Sequence, residues 1–436
     1  MSAVTLLPEV LILVGLALSL VGSALSVQQR RWAGSGLVLI ALAALITELW
    51  FGDSVGWLLP GGFRQDRFAL AAKAALLVAL TVTTLIGHAD LRRTRGLAPV
   101  VFLAALAGLV MASASAVPGM FAAAVLMTAA LLLANGGRGR AWVLPGVGLV
   151  GYGASLLLLA RLAGGWGLGE QTPAVGANAG SLAAGSVLML GLVGLGLVGA
   201  AVWTSATPHR PLLIGVLLIA AMRLAAALAA PNSAWSGALA ALAALTLVGC
   251  GLRALAAPSA RSLVGWLGAF QCAWLAAALA THDRFGFAAA LLLTGVLLTA
   301  WVAADLVAPR TAAEMSNLWL HSPSLAVLLC LSVLSLAGLP PLAGFFGDFA
   351  VLAELFRSGL VWVGGAALLG WVLALMATVR FIAVTYFVAD PEEVRSQTAS
   401  WRPVPVLAML VILGLSAFAN PIHSLAVQGA AALGLR

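Results

Sequence analysis

The chain has 436 residues, of which 63% are hydrophobic and only 8% charged, with a formal net charge of +8 at pH 7. A soluble domain carries about 25% charged residues, so this composition cannot build a water-exposed surface and points to an integral membrane protein. The arginines lie in short gaps between apolar runs rather than on one basic face, so the positive balance is assigned to membrane topology and not to nucleic-acid binding.

In chain order, apolar runs fall at about 4–26, 33–51, 67–87, 97–114, 118–135, 141–163 and 181–203. They continue at about 210–230, 235–256, 261–281, 286–307, 323–357, 359–388 and 403–430. Each is long enough to cross a bilayer core as a helix, which satisfies its own backbone groups in lipid. The predicted fold class is all-α integral membrane, with about fourteen transmembrane helices in a single polytopic domain over residues 1–436. The first run begins near Val4 with no positive residue before it, and Arg30 and Arg31 follow it. A cleavable leader has the opposite order, so a retained helix is expected.

The connections carry a charge alternation. After odd-numbered runs come Arg30, Arg31, Arg92, Arg93, Arg95, Arg138, Arg140, Arg210, Arg261, Arg310, Arg395 and Arg402. After even-numbered runs come only Arg64, Arg67, Arg284 and Arg357. Odd connections are therefore expected to be cytoplasmic and both termini outside, in a multi-pass protein of the cell's inner (plasma) membrane.

Several motif types lead nowhere. Cys250, Cys272 and Cys330 are lone residues in apolar segments, without spacing for zinc, haem or an iron–sulfur cluster, and the histidines, among them His209 and His282, have no metal-ligand spacing. No metal site is expected. Gly146-Val-Gly148-Leu-Val-Gly151 and Gly194-Leu-Gly196-Leu-Val-Gly199 match the dinucleotide pattern G-x-G-x-x-G, but both lie inside apolar runs. Without a strand before and an acidic residue after, they read as glycines that let helices pack closely.

The most informative stretch is Leu334-Ser335-Leu336-Ala337-Gly338-Leu339-Pro340-Pro341-Leu342-Ala343-Gly344-Phe345-Phe346-Gly347-Asp348. Pro340 and Pro341 remove two backbone donors and clash with the preceding turn, while Gly338, Gly344 and Gly347 permit unusual backbone angles. The twelfth run is therefore predicted to break in mid-membrane. Broken helices with a charge beside the break are how transporters build ion sites at the midplane, and Asp348 supplies that charge.

This stretch resembles the S-L-A-G-x-P-P-x-x-G-F-x-G-K run of the antiporter-like subunits of respiratory complex I and related cation antiporters. The opening Leu7-Pro8-Glu9-Val10-Leu11-Ile12-Leu13 looks like the L-P-E-x-x-L start of the subunit N family. Weaker matches follow in order at Gln65-Asp66-Arg67-Phe68-Ala69, at Gly108 to Ala114, and at Arg380-Phe381. The resemblance implies two inverted five-helix repeats, each with a broken helix. The implied layout is helices one to three at about 1–90, repeat one at about 95–232, repeat two at about 233–390 and a last helix at about 403–430. It also implies a membrane-arm subunit of an NADH:quinone oxidoreductase, contributing to proton translocation coupled to quinone reduction or scaffolding it. Flavin and iron–sulfur clusters would then sit in partner subunits, with no cofactor, no catalytic residue and no redox chemistry in this chain. The implied partners are the other complex I subunits, especially neighbouring antiporter-like and small membrane subunits, and the lipid bilayer.

The departures from the family pattern bear on proton transfer. The fifth-helix glutamate falls near Val125 and the seventh-helix lysine at Val198, where the P-F-H that follows reads Trp203-Thr204-Ser205. The eighth-helix lysine falls at Arg223, and the G-K of the twelfth-helix run reads Gly347-Asp348. Shape signals are kept while most proton-path residues are lost. The remaining proton-path candidates are Asp348, Arg223, Lys73 and Glu48. A mid-membrane charge costs at least about 2.5–3.5 kcal/mol, so Arg223 and Asp348 are each expected to have a partner. Glu9 and Glu48 lie near run ends, where facing the interface would explain them. Lys73, the only lysine, is two turns inside its run, and its long stem favours snorkelling outward over function. The alternatives left open are a cation/proton antiporter subunit and a non-transporting structural membrane subunit.

Overall fold

The computed structural model describes residues 6–24, 27–52, 55–59, 62–87, 97–134, 149–150, 152–154, 156–157, 210–227, 234–308, 318–387 and 403–433. The chain divides into two compact units, residues 1–237 with 425–436, and residues 238–424. Val198, Trp203-Thr204-Ser205, the glycines of both G-x-G-x-x-G stretches, and Arg92, Arg93, Arg95, Arg138, Arg140, Arg310, Arg395 and Arg402 lie outside the described residues.

The first unit holds α1 (Leu7–Ala24), α2 (Val27–Phe51), α3 (Arg67–Ile86), α4 (Leu97–Ser113), α5 (Val117–Ala134) and α6 (Arg210–Ala227). α4 is buried over nearly its whole length, and it packs against α1, α3, α5 and α6 as the unit's central helix. A helix apolar all round belongs in such a place. α2 begins ahead of the apolar run and takes in Arg30 and Arg31. Between α2 and α3 a short antiparallel hairpin, β1 (Gly56–Leu59) and β2 (Phe63–Gln65), was not foreseen from the sequence. It docks on the α4–α5 turn through a Phe63–Ala114 bridge and a Ser115 N–H bond to the Gly62 carbonyl at 3.0 Å. The hairpin so carries Gln65 inward, and Asp66 caps α3 by accepting from the Ala69 N–H at 2.6 Å. A cap of this kind satisfies one of the four donors a helix start leaves open.

The second unit is built on α8 (Ala260–Ala280) and α9 (Arg284–Val307), the latter almost wholly buried. Around them stand α7 (Ala234–Leu255, which begins just before the boundary), a short α10 (Leu318–His321), α11 (Pro323–Leu336), α12 (Ala343–Arg357), α13 (Val361–Phe387) and α14 (Pro403–Ala417). α15 (Ala419–Ala432), which from Leu425 on is counted with the first unit, runs on from α14 after a 68° bend at Phe418. The last apolar run therefore folds as two helices rather than one straight span. Pro421 lies one turn beyond Ala417 and has no N–H to continue the ladder.

Six described helices are long and apolar enough to cross a membrane, or seven if α14 and α15 count as one span. Four shorter apolar helices accompany them. The molecule is a helical, multi-pass membrane protein.

Candidate functional site

Two buried polar clusters stand out, one in each unit. In the second unit the twelfth run is interrupted between α11 and α12, residues 337–342 forming the link, with Gly338 at φ +69° and a cis Pro340–Pro341 bond. A broken helix in an apolar core exposes carbonyls at one end and N–H groups at the other, and each costs free energy unless bonded. Here neighbouring helices supply the partners. Gln271 of α8 donates its Nε2–H to the Leu336 carbonyl at 2.8 Å, and Trp371 of α13 donates its indole N–H to the Ala337 carbonyl at 2.8 Å. At the other end the Ala343 N–H donates to Ser416 Oγ of α14 at 2.9 Å.

Asp348 lies one turn into α12 and is wholly buried. The same Gln271 Nε2 that closes α11 donates to Asp348 Oδ2 at 3.1 Å. Asp348 Oδ1, Gln271 Oε1, Ser335 Oγ and the Trp274 indole N–H are buried without a hydrogen-bond partner among the described residues. The glycines of the motif make the close approach possible. A Cβ on Gly338 would meet Asp348 Oδ2 and the Trp371 indole nitrogen, and a Cβ on Gly344 would overlap the Ser335 backbone carbonyl. Gly347 leaves room for Leu293. The partner expected for Asp348 is thus the neutral amide of Gln271.

In the first unit the charges gather where α1, α2, α3, α6 and the hairpin meet. Lys73 is 0% exposed; its ammonium pairs with Glu9 Oε1 and donates to Gln65 Oε1 at 2.7 Å. This overturns the expectation that Lys73 snorkels outward, because a carboxylate on α1 reaches it inside the unit. Gln65 Nε2 donates in turn to Glu48 Oε1 at 2.8 Å and to the Gly52 carbonyl at 3.3 Å. Glu48 is 1% exposed, so it does not face the interface as its place near a run end suggested. Arg223 lies on α6, four residues before the end of its described part. It donates to Asp66 Oδ2 at 3.2 Å, to Asp66 Oδ1 at 3.3 Å and to the Ala112 carbonyl, with its guanidinium 4.6 Å from the Phe68 ring centroid. A planar guanidinium suits a carboxylate and an aromatic face at once.

The structure therefore brings Lys73, Glu48 and Arg223 into one unit and leaves Asp348 in the other. Gln65, Asp66 and Gln271 were not among the candidates. Asp66 could have been found as a capping residue before an apolar run, whereas neutral amides such as Gln65 and Gln271 leave no charge signal. Val125, near which the resemblance puts a fifth-helix glutamate, is on a face of α5 turned away from the unit. Among the described residues no three metal-ligating side chains come together.

A helix broken at an S-L-A-G-x-P-P motif, with a buried carboxylate beside the break, is the arrangement that the resemblance to antiporter-like subunits implies. Residues 169–374 match the family model described as NADH:quinone oxidoreductase/Mrp antiporter, transmembrane. The NADH-quinone oxidoreductase subunit N of Deinococcus radiodurans is 27% identical over 465 residues, covering 95% of this chain and 94% of that one. A chain of respiratory complex I from Thermus thermophilus aligns with a TM-score of 0.77 at 21% identity, covering 99% of this chain and all of the other. A chain of the Mrp complex from Dietzia aligns at 0.78 and 17% identity, which shows the shared fold. The chain is thus similar to the NADH:quinone oxidoreductase/Mrp antiporter membrane family over residues 169–374, and to subunit N of NADH-quinone oxidoreductase over nearly its whole length.

Proposed function

We propose that the chain is a membrane-arm subunit of a respiratory NADH:quinone oxidoreductase and contributes to proton translocation coupled to quinone reduction in its partners. The observation that carries this reading is a buried carboxylate at a broken helix, in a chain similar to a subunit N from end to end. In the same reading about fourteen helices form two inverted five-helix repeats, at about 95–232 and 233–390. Both termini face outside across the inner membrane, in keeping with the arginine alternation. Flavin and iron–sulfur clusters belong to partner subunits, and this chain carries no redox centre of its own.

Asp348 is the proton-handling group of the second unit. It can alternate between neutral acid and anion, and Gln271 holds it in place without pairing its charge. Its oxygen Oδ1, without a hydrogen-bond partner among the described residues, is where a proton arrives or leaves. Arg223 is not a stepping stone, since a guanidinium does not release its proton at useful pH. Its part is to hold Asp66 and the start of α3. Val125 and Val198 cannot titrate, so the family's usual route through the first repeat is closed.

The test is purification of the affinity-tagged chain from native membranes. Subunits containing flavin and iron–sulfur clusters should co-purify, with NADH–quinone reductase activity that the polypeptide alone lacks. Recovery of the chain free of those subunits, from membranes whose reductase stays intact, overturns the reading. Recovery with only other antiporter-like subunits points to a cation/proton antiporter.

A further inference from the structure

We propose that Glu9, Lys73 and Glu48, strung together by Gln65, form a second proton-binding site, built by α1, α2, α3 and the hairpin. Neither Asp348 nor the broken helix takes part in it. The inference rests on the translocase reading for its use in the cell, but not for its existence.

The cluster holds three buried or nearly buried carboxylates, Glu9, Glu48 and Asp66, against two buried cations, Lys73 and Arg223. Asp66 and Arg223 satisfy each other. Lys73 gives its charge to Glu9. Glu48 is left facing a neutral amide donor from Gln65 instead of an ion-pair partner. The charges that bear on Glu48 are those of Lys73 and Glu9. Arg64, half-buried on β2, bears on Arg223. α4 contributes only the Ala112 carbonyl, which accepts from Arg223. An uncompensated buried carboxylate is costly and is neutralised by holding a proton. One exchangeable proton is therefore assigned to Glu48.

The step is a simple one. In the unloaded state Glu9 and Glu48 are anions and Lys73 is an ammonium. Loading adds one proton from water to Glu48 and moves no electrons. The Gln65 amide does not pass protons. It fixes the ends of the chain, accepting from Lys73 on one side and donating to Glu48 on the other. Exchange instead uses the flexible four-carbon stem of Lys73, which can swing its ammonium from Gln65 toward Glu48. Glu9 offers the way out: its side chain is 13% exposed, and its second oxygen, Oε2, is without a partner among the described residues. The chain's only lysine thus meets Glu9 directly and Glu48 through Gln65, while the positions where the resemblance puts the family's first-repeat lysines hold Val198 and Arg223.

The experiment is infrared difference spectroscopy of the assembled complex, titrated with acid and base. The expected result is a protonated-carboxyl band that disappears in Glu48→Gln, with the loss of one bound proton, and persists in Asp348→Asn. Where Glu48→Gln does not assemble, Glu48→Asp should shift the band. A band unchanged in Glu48→Gln, or unshifted in Glu48→Asp, overturns the proposal. An Asp348→Asn variant that pumps normally counts against the role given to Asp348 and leaves this titration standing.

Discussion

Replacing Arg223 by methionine removes the cation that holds Asp66 and keeps most of the side-chain volume. Asp66 would retain the Ala69 N–H but would stand as a buried carboxylate without its ion-pair partner. Breaking a buried ion pair from one side costs about 3–5 kcal/mol, because the surviving charge is left uncompensated. At 1.4 kcal/mol per factor of ten, the unfolding constant should rise by about two to three and a half orders of magnitude. Asp66→Asn combined with Arg223→Met removes both charges, and asparagine caps a helix about as well as aspartate. The double variant should therefore be more stable than Arg223→Met alone, with a coupling energy above about 1 kcal/mol. Denaturant unfolding in mixed micelles measures all four corners of this cycle. Additive effects, with the double variant no more stable than Arg223→Met, would refute the claim that the pair anchors the start of α3.

Three further outcomes are expected. Gly344→Ala should abolish recovery of monodisperse protein in size-exclusion chromatography, because its Cβ meets the rigid Ser335 backbone. Gly265→Ala, whose Cβ meets nothing within 4 Å, should be tolerated or gain up to about 1 kcal/mol of helix propensity. His282, in the turn between α8 and α9, has its pKa lowered to about 4 by burial. Its neutral form is the one the fold accepts, so stability present above about pH 6.5 should be lost progressively as pH falls toward 4. Thermal melts at pH 7.5 and 5 should diverge in the parent and converge in His282→Asn, which tolerates the residue's φ of 52°.

Much of the helical framework was legible because lipid enforces a simple rule: an apolar run of sufficient length becomes a helix. The boundaries of α3 to α9 fall within a few residues of the runs that announced them. The break was legible because Pro340, Pro341 and Gly338 act locally. The hairpin was not, since Gly56–Leu59 and Phe63–Gln65 are too short to show a period. The bend at Phe418 was signalled by Pro421, but the apolar run around it masked the signal. The clusters were legible only in part. Asp348 and Arg223 declared themselves by the cost of a buried charge, whereas the fate of Lys73 depended on Glu9, 64 positions away. Its long stem made snorkelling the natural expectation. No periodicity reports which distant carboxylate a helix pair will bring to a lysine. The two glutamines, which join charged groups to one another and to the broken backbone, are neutral and pass unnoticed in a sequence.

The central claim is that Asp348 carries protons for the complex. Its most direct test is the number of protons moved per electron pair in sealed vesicles containing the assembled complex, comparing the parent with Asp348→Asn. Asparagine keeps the shape and can still bond Gln271, but it cannot take up a proton. The account predicts a lower ratio with normal assembly and an intact redox rate under uncoupled conditions. An unchanged ratio in a fully assembled complex would contradict it and leave the chain as a structural subunit of the membrane arm.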